Sequence, residues 1–302
     1  MLRAYTPHKP YIPSCANGFT LVELTVAIGL LLGISAMVLS SSLVSKYVFK
    51  KDMVRTRLNQ NLRSGMDFIG TNVRLAGENL PATFPSILVV DGAAGAPDEL
   101  IIRRNLLDEI LKLCTGVLAG NATTTLDFAL PGNISGCIYK DNLHNYSAWR
   151  NYRLAEGGTV NGFLFDVSTN SGEFFEHVNE QNTGTSLNIQ VTPYGTWSNN
   201  YDEDGTSIYI LEEWHFRLQS NTLQLIEDGN SGSPLNVIDG VDNFQVVIHM
   251  QDGSFQTSFT DSDNWTQVQS LEVRLDGSDS SSGVLLNQAY TSRFVPRNIL
   301  SN

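Results

Sequence analysis

Three hydrophobic patterns follow one another along the chain. The first is an apolar run over residues 20–44, TLVELTVAIGLLLGISAMVLSSSLV, interrupted by one charge, Glu23. A helix needs about 20 such residues to cross a bilayer, so this run predicts a membrane span. The second is a stripe: Val54, Leu58, Leu62, Met66, Ile69 and Val73 recur at steps of three and four, the spacing of one helix face. Proline is absent from residues 19–80, so one helix is expected through both patterns, closed by Gly77 and the breaker Pro81. The third pattern starts at Pro81, where short apolar or alternating runs are separated by Gly, Asn, Asp and Ser, as in antiparallel strands and turns. Strands are expected at residues 86–90, 99–103, 163–167, 186–192, 206–211, 214–218 and 267–275, and loops at 93–97 and 276–283. A hairpin over residues 214–225 turns at Ser220-Asn221. The fold class is α+β, a long amino-terminal helix packed on an antiparallel β-sheet body that covers the stripe.

Composition narrows the class. At 41% hydrophobic and 17% charged residues, the 302-residue chain is too apolar for disorder and too polar for a multi-span membrane protein. The net charge of −12 is uneven. Lys46, Lys50, Lys51, Arg55, Arg57, Arg63 and Arg74 face only Asp52 and Asp67 in the stretch after the apolar run, which suits a solvated helix face beside lipid headgroups. The remainder is acidic, which argues against nucleic-acid binding by the body.

Catalytic patterns are missing from the sequence. It has no GxSxG, no HExxH and no phosphate-cradling glycine loop, and its histidines at 8, 144, 177, 215 and 249 are scattered, so no enzyme is expected. Asp202-Glu203-Asp204-Gly205 is the one cluster suited to a cation: Asp202 and Asp204 offer hard oxygens at alternate positions beside a turn glycine, as Ca²⁺ prefers. A solvated Asp-Gly turn accounts for the same residues. No other cofactor is implied.

Glu23 is informative, because a carboxylate near the end of a membrane helix is costly unless hydrated or partnered. A cut before Phe19 would expose an amine able to meet the carboxylate of a neighbouring subunit. Gly29 and Gly33 form a small-xxx-small pair of the kind that lets membrane helices approach closely.

Gly18-Phe19-Thr20-Leu21-Val22-Glu23-Leu24, followed by the apolar helix, resembles the cleavage and methylation motif of type IV prepilins and type II secretion pseudopilins. The resemblance implies a leader at residues 1–18 that a prepilin peptidase removes after Gly18, methylation of Phe19, and a subunit-docking role for Glu23. It implies a transmembrane helix at 19–45, an amphipathic continuation at 46–80 and a β-rich extracytoplasmic domain at 81–302. The chain would be single-pass in the inner membrane with its body in the periplasm, and on the cell surface after assembly. Removing the leader takes Cys15 away and leaves Cys114 and Cys137, an even pair expected as a disulfide in an oxidising compartment.

The far end of the chain narrows the resemblance. LNVIDGVDNFQV at 235–246, WTQVQSLEVRL at 265–275 and RFVPRN at 293–298, with NLRSGMDFIGTNVRLAG at 61–77, resemble PilW-type minor pilins, which are similar in plan to GspJ pseudopilins. The implied role is initiation and assembly of a type IV pilus, with other minor and major pilins, the prepilin peptidase, the inner-membrane assembly platform and membrane lipid as partners. A type II secretion pseudopilin is the alternative in the same class. A pilus-tip adhesion or DNA-capture module, with 105–200 as binding insert, is the alternative in another; that insert resembles nothing we can name. Two departures stand out. Positive residues are fewer before the span (Arg3, Lys9) than after it (Lys46, Lys50, Lys51), the reverse of the family topology, although large domains translocate largely regardless of flanking charge. Ser40 to Ser42 occupies the place where many major pilins carry a helix-disturbing proline.

Overall fold

The computed structural model describes residues 20–132, 134–280 and 285–301. Its longest element is helix α1 (Leu21–Leu75). The chain divides into two compact units at Met53/Val54, where the stripe begins.

In the first unit every described residue is exposed, and the apolar side chains of residues 21–49 have no cover from the chain itself. In the second unit the stripe is closed off: Val54, Leu58, Leu62, Met66, Ile69 and Val73 are all buried. The helix ends at Leu75, short of residue 80, because Gly77 takes φ +75° and its N–H turns away to donate to Arg103 O (2.9 Å). A Cβ at Gly77 would overlap the indole of Trp265, so this stop requires glycine twice over, for its backbone and for its lack of a side chain.

The strands are β1 (Ile87–Val90), β2 (Glu99–Asn105), β3 (Leu111–Lys112), β4 (Thr125–Ala129), β5 (Val160–Asp166), β6 (Ser171–Asn182), β7 (Leu187–Pro193), β8 (Thr206–Tyr209), β9 (Leu211–Gln219), β10 (Thr222–Glu227), β11 (Leu235–Asp239), β12 (Val241–Met250), β13 (Phe255–Gln256), β14 (Val268–Asp279) and β15 (Leu286–Phe294), with helix α2 (Leu143–Ala155) between β4 and β5. They form three antiparallel sheets with strand orders β1-β2-β9-β10-β11, β13-β12-β14-β15 and β3-β8-β5-β6-β7-β4. The stripe shares one core with the first two sheets, including Phe216, Phe244, Trp265 and Leu271. Phe68 of α1 lies 5.2 Å from the Trp214 ring and 5.9 Å from that of Phe216.

The third sheet and α2 enclose a separate core around Trp149, Phe175, Trp197 and Tyr201. A small aromatic cluster joins the two: Phe84 packs on Phe165 (4.7 Å) and Tyr209 (5.0 Å). The run expected as one strand at 206–211 is two, since Ile210 is where the chain leaves β8 and enters β9. The expected loop at 276–283 is also corrected. β14 continues to Asp279, with Asp276 opposite Ala289 and Asp279 opposite Leu286, because the ladder to β15 carries a polar segment that has no apolar alternation. The 93–97 loop contains a single 3-10 turn, Ala93–Gly95. The hairpin at Ser220-Asn221 is present, with φ of 52° and 61° at its two corner residues, a type I′ geometry matching strand twist.

Candidate functional site

Gly18 and Phe19 lie outside the described residues. The first turn of α1 is described, and it is a capping box. The Glu23 N–H donates to Thr20 Oγ1 (3.2 Å), while Glu23 Oε2 accepts from the Thr20 N–H (3.0 Å) and from Thr20 Oγ1 (2.9 Å). Thr20 is the residue before the helix and Glu23 its third residue, so the two satisfy each other's first-turn groups. The Thr-x-x-Glu spacing is legible in the sequence, and it gives Glu23 a partner inside its own chain, beside the hydration or neighbouring amine expected from its place in the helix. Glu23 Oε1 makes no hydrogen bond among the described residues.

Beyond this turn, the helix presents an apolar surface on all sides through residue 44, with Leu32 65% exposed and Met37 74%. By length and composition α1 is able to cross a membrane. A Cβ at Gly29 or Gly33 would meet nothing within 4 Å, so the small-xxx-small face is open. The serines at 40–42 do not break the helix; Ser40 Oγ donates to Met37 O (2.9 Å) within it. Lys46, Lys50 and Lys51 are exposed on the next turns.

Cys114 and Cys137 form a disulfide, with Cα atoms 5.9 Å apart across 23 residues of sequence. The bond ties the stretch after β3 to the stretch leading into α2, and two backbone bonds flank it: Cys114 N–H to Asp127 O (2.8 Å) and Leu130 N–H to Cys137 O (2.9 Å). Asp202 and Asp204 lie on the exposed turn before β8. Among the described residues no three His, Cys, Asp or Glu side chains gather as a metal-binding group.

The four described histidines each sit against a glutamate: His144 with Glu109 (3.0 Å), His177 with Glu180 (2.8 Å), His215 with Glu99 (2.8 Å) and His249 with Glu272 (3.4 Å). His177 stands apart from the other three in being fully buried, on β6. Its partner Glu180 also takes a two-pronged bond from Arg153 of α2, Nε and Nη2 each at 2.8 Å. Burial raises the Glu180 carboxyl, but the Arg153 and His177 donors outweigh it and hold its pKa at about 2. This ion pair, beside the buried ring of Trp149, docks α2 on the third sheet, where only Trp149 and Arg153 of the helix are buried.

No protein-family model matches the chain, and no curated protein matches it. Among solved structures it is similar to a type IV-like pilin from Thermus thermophilus, at 11% identity and a TM-score of 0.36, over 80% of this chain and 97% of that one. That likeness is too loose to transfer a role to any residue.

Proposed function

We propose that this chain is a minor pilin of the PilW type, which primes and enters a type IV pilus. The observation that carries the reading is a single helix of two characters, apolar and uncovered over residues 21–44 and sealed by the chain's own sheets from Val54 onward. A body folds around the second half by itself, whereas the first half needs an apolar environment that lipid or neighbouring helices supply. The motif at residues 18–24 supports processing after Gly18 and methylation of Phe19 by a prepilin peptidase. Subunits would then wait in the inner membrane with the body in the periplasm, the basic turns at Lys46, Lys50 and Lys51 near lipid headgroups, and join other minor and major pilins on the assembly platform.

Glu23 sets axial register in this scheme. Its Oε2 is engaged within its own chain, and Oε1 remains to accept from the amino terminus of a neighbour. Mass spectrometry of the chain recovered from its native membrane tests the proposal: the expected first residue is N-methylated Phe19. An intact Met1, or a cut downstream of residue 30, overturns it. A type II secretion pseudopilin shares this amino-terminal chemistry, and crosslinking in the native cell separates the two by whether pilins or secretion components are recovered.

A further inference from the structure

The geometry points to the cleft between β6 and the β10–β11 connection as a binding site for a neutral saccharide. The cleft is open to solvent on one side and has a volume of about 700 Å³, within the roughly 300–1,000 Å³ range of ligand pockets. Its walls come from two different sheets, Phe174 and Glu176 on β6 facing Glu227 and Asp228 at the end of β10.

Two aromatic rings line it. Tyr194 is 62% exposed, yet its ring is not free to swing, because its hydroxyl donates to Asn161 Oδ1 (3.0 Å). Asn161 is held in turn: its Nδ2 donates to Asp228 Oδ2 (2.8 Å), and Asp228 Oδ1 accepts from the Glu213 N–H (2.8 Å). The floor is therefore a relay of satisfied polar groups that fixes an exposed ring. Phe174 is half-buried and braced edge-on by Phe163 at 4.7 Å. Above this floor, the carboxylates of Glu176 and Glu227 make no hydrogen bond or ion pair among the described residues.

A sugar ring has an apolar C–H face and a rim of hydroxyl donors, and the cleft offers the complement of each. A fixed aromatic ring presents area without losing conformational freedom on binding. An ionised carboxylate accepts hydroxyl donors in hydrogen bonds about twice as strong as neutral ones. No lysine or arginine lines the cleft, so its acids repel sugars carrying carboxylate, sulfate or phosphate. The Asp228 carboxyl is pushed up from its usual value mainly by burial, with Glu212 and Glu213 adding to the shift, which marks the floor as a poor place for a further negative charge. The site does not depend on the assembly reading. It lies on residues outside the amino-terminal helix, and its loss is read by ligand binding instead of by piliation.

The test uses the full-length protein in a detergent that contains no sugar, applied to an array of neutral oligosaccharides at low and high salt. The expected result is retention of at least one neutral glycan with affinity unchanged by salt. Tyr194→Ala and, separately, Glu176→Gln are each expected to weaken it about tenfold or more while the melting temperature holds. An array with no neutral glycan retained overturns the proposal. So does binding that both variants leave intact. A trilysine peptide serves as second probe: if it binds the cleft, with a salt-sensitive affinity that both variants lower, and no glycan does, the site is one for cations and the saccharide assignment is wrong.

Discussion

The two halves of α1 are one helix with opposite needs. From Val54 on, the apolar residues are spaced three and four apart and meet a sheet made by the same chain, so their burial stabilises the folded monomer. From residue 21 to 44 the apolar residues go all the way round, which no single sheet face is able to cover, and none of them is buried. Periodicity thus separates a helix that completes a fold from one that requires an environment. The same chain pairs both solutions without a break at Ser40 to Ser42.

Charge insertion gives the largest contrast between the halves. Ile69→Asp puts an unpaired carboxylate at a fully buried position and is expected to cost upwards of about 4 kcal/mol, seen as loss of the cooperative melt of the detergent-solubilised chain. Leu32→Asp should leave that melt unchanged and weaken membrane retention in cell fractions. Equal effects on the melt would erase the distinction.

Acid sharpens it next. The Glu180 carboxyl is held at about 2 against its ordinary 4.5, so its pairing stabilises the body above about pH 4.5 and that contribution is lost as pH falls toward 2. The melting temperature of the wild type should fall through this window, whereas Glu180→Gln should start lower and fall less steeply. The apolar half, whose only carboxylate is Glu23, should keep its helical signal throughout.

Glycine replacements are a smaller version of the same contrast. A Cβ at Gly70 would overlap the ring of Phe294, so Gly70→Ala should lose about 1–3 kcal/mol to overpacking despite a gain of ~1 kcal/mol in helix propensity. Gly29→Ala meets nothing, and the isolated subunit should melt no lower than wild type. The smallest expected effect is at Glu23. Glutamine keeps the capping partner and removes the charge, while alanine removes both. Amide exchange in the first turn should therefore quicken in Glu23→Ala only. If charge sets register, both variants should be poorly piliated; wild-type piliation in Glu23→Gln would leave Glu23 with the cap alone.

What the sequence revealed follows how each part is held. The stripe from Val54 to Val73 and the strands at 86–90, 99–103 and 214–218 were legible because burial imposes a period on them. Helix α2 was not, since only Trp149 and Arg153 along it are buried and one of them enters the core as a paired charge. Nor was β6, whose buried positions include His177 and Glu180 where an alternating strand would show apolar residues. The polar end of β14 read as a loop because pairing with β15, and no hydrophobic face, makes it a strand. At the amino-terminal site the Thr20-x-x-Glu23 spacing spells a capping box, a role within the chain that the intermolecular reading of Glu23 leaves out.

The Cys114–Cys137 bond has a use beyond holding the entry to α2. Thiols of a bacterial cytoplasm are kept reduced, and those facing the cell envelope are oxidised. Whether Cys114 and Cys137 are joined in the cell therefore reports the side on which the body folds. Trapping free thiols in growing cells with a membrane-permeant alkylating reagent, then counting the modified cysteines of the mature chain, reads that state directly. Two alkylated cysteines would put the body on the reducing side of the membrane and none alkylated on the oxidising side, which decides the orientation independently of the charges that flank the apolar helix.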